Sequence, residues 1–126
     1  MKETSEHNAR VAKLVFADIY PLYVNKIEKK GRTKEELNQV IEWFTGYDLD
    51  KLNELIESKA TYKEFFDQAT IHPNEHMING VVCGYRIEEL QNVTTRNSRK
   101  MEKLIEELAR GRKMEKILRQ ENPVSK

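Results

Sequence analysis

A chain of 126 residues, 38% apolar, 34% charged and 8% aromatic with a net charge of +1, is long enough for one domain and too evenly charged for a disordered polyelectrolyte. No apolar run approaches the roughly 18 residues that cross a bilayer, and the start, Met-Lys-Glu-Thr-Ser-Glu-His-Asn, lacks the apolar stretch of a secretion signal, so no membrane partner is expected. The single cysteine excludes an internal disulfide and points to a reducing, cytoplasmic compartment.

Residues 1–8 are polar and carry no cap before an apolar run, which reads as a frayed end. From Asp18, taken as an N-cap, Ile19, Leu22, Tyr23 and Ile27 follow at helical spacing until Gly31, with Pro21 tolerated inside the first turn. Thr33-Lys34-Glu35-Glu36 is a capping box, where hydroxyl and carboxylate each accept from the other's amide. It opens a helix with Leu37, Val40, Ile41 and Phe44 on one stripe and Gly46 just past its end. Asp48 caps a third helix bearing Leu49, Leu52, Leu55 and Ile56, and Thr61-Tyr62-Lys63-Glu64 repeats the capping-box pattern before Phe65 and Phe66.

His72-Pro73-Asn74 marks a further helix entry, with proline at the first position. Met77, Ile78, Val81, Val82, Tyr85, Ile87 and Leu90 continue a wide apolar stripe, and the reading adopted over 77–87 is helix, its rival being a short strand at Val81-Val82-Cys83. Met101, Leu104, Ile105 and Leu108 form the stripe of a C-terminal helix; after Gly111, Met114, Ile117 and Leu118 form a shorter one, and residues 122–126 read as a loose tail. The expected fold is all-α, a single domain over 1–126 with six or seven short helices and an ordered core at about 10–120.

Charge is unevenly placed: residues 1–34 carry a net +4, 35–89 a net −8 and 90–126 a net +5. The reading preferred is that these segments neutralise one another in the fold; the alternative is separate charged faces for partners.

Five segments together resemble one family. Residues 16–23 (Phe-Ala-Asp-Ile-Tyr-Pro-Leu-Tyr), 26–33 (Lys-Ile-Glu-Lys-Lys-Gly-Arg-Thr), 43–47 (Trp-Phe-Thr-Gly-Tyr), 80–86 (Gly-Val-Val-Cys-Gly-Tyr-Arg) and 114–119 (Met-Glu-Lys-Ile-Leu-Arg) are similar, in order, to small bacterial proteins grouped as domain of unknown function 2200. Residues 91–95, Gln-Asn-Val-Thr-Thr, depart from the family's acidic residue followed by proline. The resemblance implies a bacterial origin and brings no catalytic residue with it.

Candidate chemistry is sparse. Cys83 with Arg86 three residues on is the candidate for nucleophilic catalysis, against a default reading of Cys83 as a small buried hydrophobe. His72 and His76 stand four apart, but Pro73 places His72 at a cap, so neither a metal site nor a cofactor is expected. Trp43, Tyr47 and Tyr85 are candidates to line a binding groove, and Arg32, at a helix start, to hold an anion. Two basic clusters, at 26–34 and 96–119, offer nucleic acid as a partner. The leading expectation is a non-enzymatic binding or interaction module taking a protein partner or small ligand; the alternatives are nucleic-acid binding and an enzyme using Cys83 and Arg86.

Overall fold

Five of the seven α-helices within residues 2–119, the residues that the computed structural model describes, begin on a side chain that caps the first free amides. These are α1 (Ser5–Lys13) capped by Thr4, α3 (Lys34–Thr45) by Thr33, α4 (Leu49–Glu57) by Asp48, α5 (Tyr62–Asp67) by Thr61 and α6 (Val93–Ala109) by Asn92. Both capping boxes form, Thr33 with Glu36 and Thr61 with Glu64. The other two helices, α2 (Phe16–Glu28) and α7 (Met114–Ile117), start without a side-chain cap.

The longest helix, α6, is the centre of the domain. Met101, Leu104, Ile105 and Leu108 are buried along it, and it packs against α1, α2, α3, α5 and α7. Between α2 and α5 lies an aromatic cluster in which Phe16 stacks on Phe65 with ring centroids 4.2 Å apart, and Tyr47 and Phe66 meet Phe65 edge-on. No helix among the described residues is long and apolar enough to cross a membrane.

Three expectations are corrected. The N-terminal stretch is not frayed: Thr4 caps α1, and the Glu3 carboxylate accepts the amides of Gln91 and Asn92 at 2.9 Å, which holds its pKa below the usual glutamate value. Helix α2 starts before Asp18. An antiparallel bridge between Val15 and Thr61, with the Phe16 amide on Ala60 O and the Tyr62 amide on Leu14 O, starts the chain into the helix one turn early. Pro21 therefore lies inside α2 and leaves one helical bond unmade, a defect of up to about 3 kcal/mol offset by burial of Phe16, Tyr20, Tyr23 and Ile27; Leu22 points outward.

The third correction concerns residues 77–87, which are not helical. A 3-10 helix, Pro73–Met77, leads into an antiparallel hairpin of β1 (Val81–Val82) and β2 (Tyr85–Arg86), with Val81 opposite Arg86 and Val82 opposite Tyr85, followed by a 3-10 turn at Ile87–Glu89. The partner strand is only two residues away, because Cys83 and Gly84 make the turn with φ of 52° and 82°. Cys83 is exposed, not a buried hydrophobe, and occupies a left-handed position that favours Asn or Gly. Cys83→Asn is accordingly expected to stabilise the protein by about 0.5–1 kcal/mol, measured as a higher urea midpoint with unchanged slope. The tail expected at 122–126 lies outside the described residues.

Candidate functional site

A cleft of about 260 Å³ opens where α1, α2, α5 and α6 meet. Each helix contributes its own chemistry. Val11 of α1, Leu14 just past its end and Ile19 of α2 form apolar walls, and Tyr23 of α2 and Tyr62 of α5 close the inner end. Polar groups come from His7 and Arg10 of α1 and from Ser98, Arg99 and Glu102, which share one face of α6 by their spacing of one, three and four.

Arg99 organises this polar side. Its Nη1 donates to Glu102 Oε1 at 2.6 Å, its Nη2 lies 3.1 Å from His7 Nε2, and its guanidinium sits over the Tyr85 ring at 4.7 Å. The His7 ring also stacks on Tyr85, centroids 4.9 Å apart. To accept from Arg99, His7 must be neutral with its proton on Nδ1. Burial, then the charges of Arg99 and Arg10, push the imidazole pKa below its ordinary value and keep it so.

Donors outnumber acceptors here. Arg99 carries five N–H groups, and its Nε is buried without a partner among the described residues. The hydroxyls of Tyr23 and Tyr62 lie 2.7 Å apart; since one donates to the other, the second hydrogen of the pair has no acceptor among the described residues. Burial raises both phenol pKa values, so both stay protonated and the pair remains a donor. Ser98 uses its hydroxyl on Thr95 O, and Glu102 is the one carboxylate in the lining.

A second concavity, of about 320 Å³, is lined by Val81, Val82, Cys83, Lys103, Glu106, Glu107 and Arg110. Although larger, it is already satisfied internally: Glu106 meets Lys26 and Arg110, and Glu107 meets Arg112 and Arg119.

The candidates singled out from sequence occupy separate places. Cys83 Sγ donates to Glu102 Oε1 at 3.7 Å, and burial, then the Glu102 charge, pushes its thiol pKa up, away from thiolate character. Arg86 lies 3.9 Å from Glu88. Tyr47 is buried and donates to Phe65 O, with its phenol pKa pushed up to about 12 by burial. Trp43 stacks on His72 at 4.1 Å, and His72 caps the 3-10 helix by accepting the Asn74 amide. Arg32 donates to Glu36 and to the carbonyls of Leu108 and Arg112. Two of them touch residues of the cleft: Tyr85, through Arg99 and His7, and Cys83, through Glu102.

Of the cleft residues His7, Arg10, Tyr23, Tyr62, Arg99 and Glu102, Tyr62 lies in a capping box, Tyr23 in a helical stripe and Arg99 in the second basic cluster, but none of these patterns points to a shared site. A further local signal is the i, i+3 spacing of Arg99 and Glu102, which is common on helices.

A family model described as an uncharacterized protein conserved in bacteria, domain of unknown function 2200, matches residues 10–119. The chain is also similar to the crystal structure of the uncharacterized protein SP1917, with 31% identity, a TM-score of 0.82, and coverage of 93% of this chain and 94% of that one. No curated protein matches.

Proposed function

This chain belongs to the bacterial family grouped as domain of unknown function 2200, and from that premise we propose that it is a non-enzymatic binding module whose four-helix cleft takes a small molecule with an acidic group on an apolar body. The observation that carries this reading is the surplus of donors over acceptors among Arg99, Arg10 and the Tyr23–Tyr62 pair, beside walls of Val11, Leu14 and Ile19. A carboxylate supplies the missing acceptors and offsets the two guanidiniums, for which Glu102 is one counter-charge. The cleft lies below the roughly 300–1,000 Å³ of drug-sized sites, which favours a compact ligand. The compartment that fits the free thiol of Cys83 is the cytoplasm.

The probe is benzoate, with benzyl alcohol as the uncharged comparison, followed by amide chemical shifts. Benzoate is expected to bind at least about tenfold tighter, a difference of about 1.4 kcal/mol, and to move resonances of α1 and α6. Arg99→Gln is expected to abolish that preference while circular dichroism stays unchanged, and the Tyr23→Phe, Tyr62→Phe double variant, which removes both hydroxyls and with them the free donor, to weaken binding. Equal binding of the two probes, or saturable shifts confined to other parts of the chain, would refute the reading.

A further inference from the structure

Helices α2 and α6 end in the same way. Gly31 N donates to Glu28 O and Arg32 N to Ile27 O, while Gly111 N donates to Leu108 O and Arg112 N to Glu107 O, the paired bonds of a Schellman cap. Each glycine has a left-handed φ, of 83° and 88°, and each is followed by arginine. The two loops are neighbours, because Arg32 Nη1 donates to Leu108 O at 3.2 Å and to Arg112 O at 2.8 Å.

This juxtaposition joins the two basic clusters of the sequence at one end of the molecule. Of the ten residues in loops 29–34 and 110–113, seven are Lys or Arg and none is acidic. The fold does not neutralise them with the acidic middle of the chain. Among the described residues, only Arg32–Glu36 and Lys100–Glu75 connect a basic flank to residues 35–89; the other ion pairs lie within the middle or within the flanks. Self-neutralisation is thus the minor outcome, and segregated charge the major one.

Cations at helix C-termini also offset the macrodipole, so magnitude decides whether a surplus is left. Arg32, Arg110 and Arg112 face Glu36, Glu106 and Glu107, and the two helix ends count for about half a negative charge each. Lys29, Lys30, Lys34 and Lys113 are exposed without an acidic partner among the described residues, which leaves about three uncompensated positive charges. Nothing lies within 4 Å of where a side chain would begin at Gly31 or Gly111, so both loop backbones are open to approach.

We propose that this end of the molecule docks on the phosphate backbone of double-stranded nucleic acid. Charge complementarity selects a polyanion. The ten loop residues include no aromatic on which unpaired bases stack and no apolar side chain to enter a lipid surface, which favours a duplex over a single strand or a membrane. Two loops, with no helix side presented to a groove, contact backbone and not base edges, so binding is independent of sequence.

The test is fluorescence anisotropy of the full chain with a labelled mixed-sequence DNA duplex of about 20 base pairs, across salt concentrations. Four phosphate contacts predict a slope of log K against log salt of about −3.6, or about 150-fold weaker binding between about 50 mM and about 200 mM. The Lys30→Gln, Lys113→Gln double variant, which alters two exposed lysines without an acidic partner, is expected to flatten that slope by about two. The Lys51→Gln, Lys63→Gln variant removes the same charge on α4 and α5 and is expected to leave the curve unchanged. The proposal is overturned by no binding at about 50 mM salt, by equal effects of the two double variants, or by competition from polyglutamate or phosphatidylglycerol vesicles as effective as unlabelled duplex.

Discussion

Phe65→Ala is expected to lower the unfolding free energy by about 3–5 kcal/mol, read from urea denaturation with the slope unchanged. Phe65 is fully buried, and three aromatic rings converge on it: Phe16 stacked at 4.2 Å, and Phe66 at 5.0 Å and Tyr47 at 5.3 Å edge-on, with Tyr62 reaching Phe66 and Phe16 behind them. Alanine removes the ring and leaves a cavity whose walls belong to α2, α5 and the turn between α3 and α4 that carries Tyr47. These are held at different points of the chain and cannot collapse together. Since domains of this size have about 5–15 kcal/mol in hand, the loss takes about a fifth or more of the total. The comparison variant is Leu22→Ala, whose side chain is 59% exposed; it is expected to change stability by no more than about 0.5 kcal/mol. A similar loss in both would mean that burial in the aromatic cluster does not decide the cost of removing a large side chain, since alanine favours helix at either position.

The legible parts of the fold are those decided within four residues. Thr33 with Glu36, Asp48, and Thr61 with Glu64 satisfy amides three positions away, and the chemistry of that contact is written in the local sequence. The start of α1 was hidden for the opposite reason. Thr4 caps a helix with one buried residue, Val11, held in place by distant contacts: Asn8 accepts from the Thr95 hydroxyl, and Glu3 takes the Gln91 and Asn92 amides. Pro21 misled because the Val15–Thr61 bridge, between residues 46 apart, sets where α2 begins. The hairpin was hidden because strands of two residues carry no periodicity, and Cys-Gly is not among the usual turn pairs. The cleft was the least legible feature: Arg99 and His7 are 92 residues apart, and no motif joins them. The clustering of the basic loops, by contrast, was half visible. Sequence showed both clusters, and the contact of Arg32 with Leu108 and Arg112 places them side by side.

The second large effect is expected at Glu107, which lies on α6 and is buried. Its carboxylate receives both arms of Arg119, at 2.6 and 2.8 Å, and Arg112 at 3.0 Å. The side chains of the Glu107–Arg119 pair are 10% and 12% exposed, so water replaces little of the interaction if one partner is removed. Arg119 in turn donates to Ile117 O, and its carbonyl accepts from Asn74, so the pair ties α7 and the segment after it to the rest of the domain. Glu107→Gln leaves a buried guanidinium without its counter-charge and is expected to cost about 3–5 kcal/mol. Hydrogen exchange should show the loss first at the amides of Ile117 and Leu118, which bond Lys113 O and Met114 O. Because two buried charges repay their desolvation poorly, Glu107→Leu combined with Arg119→Leu is expected to recover most of the stability lost in the single variant. If the double variant is as unstable as Glu107→Gln, the cost comes from the lost tie between α6 and the C-terminal segment and not from an orphaned charge.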